Sequence, residues 1–297
     1  MREEVTMAKA KTLVGYLRSR GLDDGVAVRV QQILEEWRRR GIPLWEQENK
    51  RDDQRAALIL GQTLSGEELV RFFAPVCPDY PDDSRAAQLG LGLGETIPPV
   101  FSLMRSVIPL MEEWKVPYSF TVLLADTEID LSEVVALLAN SVEDFLGRCS
   151  KTVTAAQEVA SDLFCKSGVQ IVPFSKYFSG QWHPMQYFWE GIAREKKEED
   201  SAFNSFLCEL AGFRTGKYEK QLGRRCTPED CFRMAIRHYA QYHALGYWMR
   251  QYQGAILVNK DSPNLRAIRR PFVLGEKKHP SLPEILDQQS RIPIIVL

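Results

Sequence analysis

Short apolar runs separated by helical stretches constrain the fold of this chain more than any other feature of its sequence. Six such runs predict strands, and they cover residues 56–60, 69–76, 118–125, 169–174, 255–259 and 292–297. The runs FFAPV at 72–76 and FTVLL at 120–124 are apolar on both faces, as expected for interior parallel strands that helices cover. Strands that alternate with helices predict an α/β fold with a parallel sheet.

The first 55 residues have a different pattern. Apolar residues recur there at helical spacing on both sides of Gly21, which predicts two helices. The stretch at 45–55 is almost wholly polar and predicts a surface linker. We therefore predict a helical N-terminal segment at 1–55 and an α/β domain at 56–297.

Composition excludes several classes of protein. The formal net charge of the 297 residues is −1, so the overall charge does not favour nucleic acid or membrane as a partner. The six cysteines are scattered without a CxxC pair, which favours the reducing cytosol over a disulfide framework. No apolar run approaches the roughly 18 residues of a membrane span, and the N-terminus lacks the pattern of a signal peptide. These features predict a cytoplasmic protein without a membrane partner.

A candidate nucleophile follows the first central strand. In open α/β sheets, ligands bind beyond the carboxyl ends of the strands, where Cys77, Asp79 and Tyr80 are expected. A cysteine there can act as a nucleophile if a neighbouring cation, base or helix N-terminus stabilises its thiolate. The alternative is a small apolar side chain packed at the end of a strand.

Acidic residues follow the second central strand. Asp126, Glu128 and Asp130 alternate, so in an extended chain they point to the same side and can hold a divalent cation. Asp130 is also suited to cap the next helix, since Glu133 follows three residues later.

Glycines at 90, 92 and 94 precede a helical run that starts at Thr96. Free backbone N–H groups before a helix can bind phosphate. A flexible loop packed against the sheet is the alternative.

A long helix is predicted from Pro228, with Thr227 as its N-cap and a length of roughly 25 residues. Tyr239 and His243 are one turn apart on this helix, and Tyr242 lies beside them. A phenol and an imidazole at this spacing can relay a proton or orient a substrate amine. The alternative is an amphipathic helix that packs through its aromatic side chains.

The densest basic stretch contains Arg266, Arg269 and Arg270, beyond the strand at 255–259. Its guanidinium groups can bind the phosphates of a nucleotide or an RNA. A solvated helix face is the alternative.

Taken in order, these patterns resemble the cyclodipeptide synthases, a family of tRNA-dependent enzymes. In that family a buried strand ends in a nucleophilic serine followed by Pro and Tyr, and here FFAPVCPDY carries Cys77, Pro78 and Tyr80. In the family a second strand ends in an acidic residue, which Asp126 resembles. A later helix of the family carries Tyr with Glu four residues on, and Tyr239 resembles that Tyr. The chain departs from the family in two places, since cysteine replaces the serine and His243 replaces the glutamate.

The resemblance implies a Rossmann-like fold and an aminoacyl-tRNA-dependent transferase that forms a peptide or cyclodipeptide. It implies that Cys77 accepts the aminoacyl group, while Tyr239 and His243 position the amine and transfer protons. Asp79, Tyr80, Asp126, Glu128 and Tyr242 are then candidate substrate contacts, and Arg266, Arg269 and Arg270 candidate tRNA contacts. The resemblance implies that no cofactor, ATP or metal is needed, because the aminoacyl ester is already activated. It also implies a small-molecule substrate or product.

Two other functions remain open at this point. One is a transferase of nucleotides or nucleotide sugars, in which Asp126 and Glu128 hold a divalent cation. The other is a non-catalytic interaction protein, in which the aromatic helix is only packed.

Overall fold

The structure of the chain is a computed structural model. It describes residues 12–42, 51–66, 68–76, 97–126, 141–164, 168–222, 227–249, 254–259 and 294–296. All structural statements below concern these residues.

A parallel sheet of five strands lies at the centre of the described fold. The strands are β1 (Val70–Val76), β2 (Tyr118–Leu124), β3 (Val169–Pro173), β4 (Ala255–Asn259) and β5 (Ile294–Val296). Their order across the sheet is β3-β2-β1-β4-β5, and each neighbouring pair is parallel. Strand order therefore reverses between β1 and β4, which is the position where Rossmann-like sheets bind ligands.

One face of the sheet packs against the helices that precede β3. These are α1 (Leu13–Ser19), α2 (Asp24–Arg39), α3 (Arg51–Leu64), α4 (Ile97–Glu113) and α5 (Val142–Leu163). Alternate residues of the strands, including Phe72, Phe120 and Ile256, point into this first core. Trp37 of α2 packs against Phe72, so the N-terminal helices share this core with the sheet.

The opposite face packs against the helices between β3 and β4. They are α6 (Phe174–Tyr177), α7 (Trp182–Glu199), α8 (Ser201–Leu222) and α9 (Pro228–Met249). The intervening strand residues, including Phe73, Leu123 and Leu257, point into this second core with Leu245 and Met249 of α9. Helix α8 packs against α9 on the side away from the sheet, in a third cluster that includes Phe203 and Tyr239.

The α/β fold with a helix-flanked parallel sheet is confirmed. One predicted helix lies on each side of Gly21, as α1 and α2. Thr227 caps α9, as predicted, by accepting a hydrogen bond from the Asp230 N–H at 3.1 Å. The strand predicted over 56–60 is wrong, because those residues belong to α3. Its apolar side chains satisfy a helical period as well as a short strand, and periodicity alone does not separate the two. The division of the chain at residue 55 stays a prediction.

Candidate functional site at the carboxyl edge of the sheet

The two central strands end together. Val76 of β1 is in register with Leu124 of β2, and the Ala125 N–H donates to the Val76 carbonyl at 2.8 Å. Cys77 is the residue that follows Val76 in the sequence, and Asp126 follows Ala125. The carboxyl edge of the sheet, next to the change in strand order, is therefore the candidate site.

Asp126 is held by one residue of α6. Its Oδ1 accepts a hydrogen bond from the Ser175 N–H at 3.0 Å, and its Oδ2 accepts one from the Ser175 hydroxyl. The side chain is buried. Asp126 thus links the end of β2 to the helix that follows β3, a contact that the sequence did not indicate.

Several predicted site residues lie outside the described part of the chain. They are Cys77, Asp79, Tyr80, Glu128, Arg266, Arg269 and Arg270, together with the glycine loop at 90–94. Their roles stay predictions.

Tyr239 and His243 do come together. The Tyr239 hydroxyl lies 3.4 Å from the His243 Nδ1, and both residues are 1% exposed. Tyr239 packs edge-on against Phe203 and Phe206 of α8, and the Trp189 ring lies 4.1 Å from the His243 ring. Burial raises the pKa of Tyr239 above its usual value, so its phenol stays neutral. A neutral phenol can donate a hydrogen bond to the imidazole.

Tyr242 packs between two clusters of buried side chains. Trp248 packs against Phe73, with ring centroids 5.0 Å apart. Helix α9 runs back along the sheet before β4 begins, so residues before Trp248 lie closer to the carboxyl edge.

The side of α9 that faces the sheet becomes polar beyond this edge. Met249 and Leu245 pack on the sheet, and Gln241 and His238 follow at helical spacing on the same side. His238 donates from Nδ1 to the Met234 carbonyl at 2.9 Å when its ring carries the proton there. Met234, one turn further, belongs to the core on the opposite face of the sheet. Helix α9 therefore contributes side chains to the cores on both faces of the sheet.

A buried polar seam joins α7 to α9. Arg237 Nε donates to Glu190 Oε1 at 2.7 Å, and the same oxygen accepts from Gln186 Nε2 at 3.0 Å. Gln186 lies one turn before Glu190 on α7, and Gln241 lies one turn after Arg237 on α9. The two glutamines are therefore level with each other. We call these four residues, Gln186, Glu190, Arg237 and Gln241, the polar seam.

The polar seam contains buried hydrogen-bonding atoms without partners. Gln186 is fully buried, and its Oε1 has no partner among the described residues; the same holds for Nε2 of Gln241. A carboxylate only accepts hydrogen bonds, so contact with Glu190 fixes the Gln186 amide with its oxygen turned away. Leaving such groups unpaired is costly, and Trp37 Nε1, Thr63 Oγ1 and Trp114 Nε1 elsewhere in the described fold are also buried without a partner.

The polar seam was not predicted from the sequence. A signal was present, since Gln186 and Glu190 fall at i and i+4 on the side of α7 that carries Trp182 and Ala193. Polar residues on a buried stripe indicate a buried polar contact with another element.

The described residues include neither a metal-ligand cluster nor a membrane-spanning helix. They contain no group of three or more His, Cys, Asp or Glu side chains placed to hold a metal ion. None of the described helices is long and apolar enough to cross a membrane.

Comparisons with known proteins give a likeness of fold. No protein-family model matches the chain, and no curated protein matches its sequence. The PvcA protein from Pseudomonas aeruginosa has a similar structure, with a TM-score of 0.52 and 11% identity over 80% of each chain. A CDPS from Fluoribacter dumoffii also matches, with a TM-score of 0.44 and 12% identity over 76% of this chain and 89% of that one. At these identities the likeness to PvcA concerns the fold alone, and at that level the remote resemblance predicted from the sequence is confirmed.

Proposed function

We propose that this protein is an aminoacyl-tRNA-dependent transferase that forms a peptide bond through an aminoacyl group on Cys77. The observation that supports the proposal is the polar seam between α7 and α9, because α9 also carries Tyr239 and His243. Cys77 is the next residue after β1. A reacting group at that position meets the ligand-binding edge of the sheet.

The polar seam suits the α-amino group of an aminoacyl substrate. Gln186 Oε1 is a buried acceptor, and its amide already donates to the Glu190 carboxylate. An ammonium group supplies the hydrogen-bond donors that this oxygen lacks. Gln241 Nε2 is a donor, which suits the carbonyl oxygen next to the amino group.

The chemistry divides into two transfers. The Cys77 thiolate attacks the carbonyl carbon of the aminoacyl ester, the C–O bond to the tRNA ribose breaks, and the ribose oxygen takes up a proton. An amine then attacks the resulting thioester, the C–N bond forms, the C–S bond breaks, and the amine loses a proton. The ester is already activated, so the two steps balance without ATP.

Tyr239 and His243 keep the proton-transfer role that the resemblance implies. Their contact of 3.4 Å supports a shared function, and the neutral phenol is a suitable donor to the imidazole. Tyr242 precedes His243 on α9 and remains a candidate substrate contact.

The alternative functions receive less support. Both carboxylate oxygens of Asp126 accept hydrogen bonds from Ser175, which supports a role in fixing α6. A cation bound at Asp126 and Glu128 stays a prediction, as does a non-catalytic role for the chain.

Intact-protein mass spectrometry tests the proposal after incubation with a mixture of charged tRNAs. We expect an aminoacyl adduct on the wild type that neutral hydroxylamine removes, as it does from thioesters. Cys77→Ala should show no adduct. Cys208→Ala is the matched control, since Cys208 is an exposed cysteine on α8, and it should keep the adduct. If the wild type gains no mass while the tRNA remains charged, the covalent mechanism is wrong.

A further inference from the structure

A groove of about 980 Å³ lies between α5 and the edge strand β3. All five residues of β3 line it, and one end reaches Asp126, Lys176 and Tyr177 at the carboxyl edge of the sheet. This volume is in the range of sites that hold a ligand of several linked groups. The groove is separate from the polar seam, which lies between α7 and α9.

The backbone of β3 presents hydrogen-bonding groups to this groove. Strand β3 is the outer strand, and no strand among the described residues pairs with its second edge. The Phe120 N–H donates to the Gly168 carbonyl at 2.9 Å, so alternate residues from Gly168 face β2. The backbone groups of Val169 and Ile171 therefore face away from β2, towards the groove. An edge of this kind is a template for an added strand.

A side-chain amide already makes one of the bonds that an added strand would make. Gln157 of α5 donates from Nε2 to the Ile171 carbonyl at 2.8 Å. This contact shows that the outer edge of β3 accepts an amide N–H from the groove. A peptide group offers the same donor, together with a carbonyl acceptor.

The wall formed by α5 is uncharged. Ser150, Thr154, Gln157 and Ser161 recur at spacings of four, three and four, which places them on one side of the helix. The apolar side chains of Cys149, Val153 and Ala160 lie beside them in the lining. Among the described lining residues the charged ones are Asp126 and Lys176, both at the carboxyl edge. The groove therefore suits a neutral chain whose charged end lies at that edge.

We propose that this groove binds an extended peptide as an added strand on β3, with the amino terminus of the peptide at Asp126. A peptide ammonium complements the Asp126 carboxylate, whose oxygens retain lone pairs beyond those used by Ser175. Main-chain hydrogen bonds to Val169, and to Ile171 once the peptide displaces the Gln157 amide from its carbonyl, supply affinity, as in other cases of strand addition. At about 3.3 Å per residue, the length of β3 accommodates four to five residues of peptide.

The location of the groove gives the peptide a role that rests on the proposed function. The peptide amine is the acceptor of the aminoacyl group. The ammonium first loses one proton to solvent. The neutral nitrogen then attacks the thioester carbonyl, the C–S bond breaks, and the second proton that the nitrogen loses goes to the Cys77 sulfur. Strands β3, β2 and β1 are adjacent, each about 4.8 Å from the next, so Asp126 lies at the edge where β1 also ends.

Binding is measured first on Cys77→Ala, so that no acyl transfer contributes. The probes are pentapeptides X-Val-X-Val-X, in which X is Ala, Ser or Thr. Each has a free amino terminus and carries fluorescein at its carboxyl end. Binding is measured by fluorescence anisotropy. We expect binding that weakens at least tenfold when alternate peptide nitrogens are methylated, because strand pairing is lost. Acetylation of the amino terminus should also weaken binding, because the charge that faces Asp126 is removed.

Two tryptophan variants localise the binding. Thr154→Trp fills the groove, while Lys151→Trp adds the same side chain at an exposed position of α5 outside the lining. Thr154→Trp should abolish peptide binding, and Lys151→Trp should retain it. Absence of peptide binding, insensitivity to N-methylation, or equal effects of the two variants would overturn the proposal. Binding of RNA but not of peptide to the groove in the same assay would also overturn the proposal.

The two proposals fail in different ways. If peptides bind to the groove but Cys77 never acquires an aminoacyl group, the proposed function is wrong and the groove remains. If Cys77 is acylated but the peptides neither bind nor gain the mass of an aminoacyl residue, the peptide acceptor is wrong and the transferase remains.

Discussion

Glu190 on α7 and Arg237 on α9 form a buried ion pair with an N–O distance of 2.7 Å. Their side chains are 9% and 11% exposed, and Gln186 donates to the same carboxylate oxygen. The pair joins α7 to α9, the helix that carries Tyr239 and His243. The geometry of the candidate site thus depends on a contact between charges that water barely reaches.

Arg237→Met should lower the free energy of unfolding by about 3–5 kcal/mol, because it leaves the Glu190 carboxylate buried without its partner. Urea denaturation measures the change. The double variant Glu190→Met with Arg237→Met should recover much of the loss, since neither charge remains. Arg148→Met is the control, because its pair with Asp144 is exposed, and it should cost no more than about 1 kcal/mol. Equal costs for Arg237→Met and Arg148→Met would contradict this assignment.

Ser175→Ala should lower the free energy of unfolding by about 1.5–3 kcal/mol, because a hydroxyl that donates to the buried Asp126 carboxylate is lost. Thermal or urea denaturation gives the value. Ser205→Ala, at an exposed position of α8, should change stability by less than about 0.5 kcal/mol. A loss for Ser175→Ala no larger than for this control would mean that the contact does not stabilise α6.

Two glycines should respond in opposite directions to replacement by alanine. A Cβ at Gly254 would lie 2.3 Å from the Leu69 backbone carbonyl oxygen, so Gly254→Ala should cost about 1–3 kcal/mol. A Cβ at Gly147, inside α5, would meet no atom within 4 Å. Gly147→Ala should therefore stabilise the protein by about 0.5–1 kcal/mol through helix propensity. The pair is compared by urea denaturation, and a shared sign would refute the packing described at β4.

Stability at alkaline pH should depend on Tyr239. Burial raises the pKa of Tyr239 above its usual value of 10.0, so the contribution is complete below pH 10. Above pH 10 the unfolded chain releases the phenol proton while the folded chain retains it, and stability falls by about 1.4 kcal/mol per pH unit from this group. Unfolding of wild type and Tyr239→Phe between pH 8 and 11 measures the effect. The variant should lose less stability over this range, and parallel curves would show that Tyr239 ionises freely when folded.

The sheet was predictable because parallel strands that are covered on both faces must be apolar at nearly every position. Phe72 and Phe73 point into opposite cores, which is why both are apolar. The run at 56–60 misled for the same reason, since a buried helix also contains short apolar runs. Capping residues such as Thr227 located the start of α9, because an N-cap needs a specific side-chain acceptor.

The candidate site was only partly predictable. The i, i+4 spacing of Tyr239 and His243 is a local property of one helix, and their contact follows from it. The polar seam depends on the alignment of α7 with α9, which are separated in sequence by α8. No local pattern gives that alignment. The contact between Asp126 and Ser175 likewise depends on the pairing of β2 with β3.

Helix α9 contributes Leu245 to the core on one face of the sheet and Met234 to the core on the other. The two cores are therefore linked at the edge as well as through the strands. Loss of α9 removes packing from both, so neither helical layer melts by itself. Differential scanning calorimetry should accordingly give one transition whose van't Hoff and calorimetric enthalpies agree.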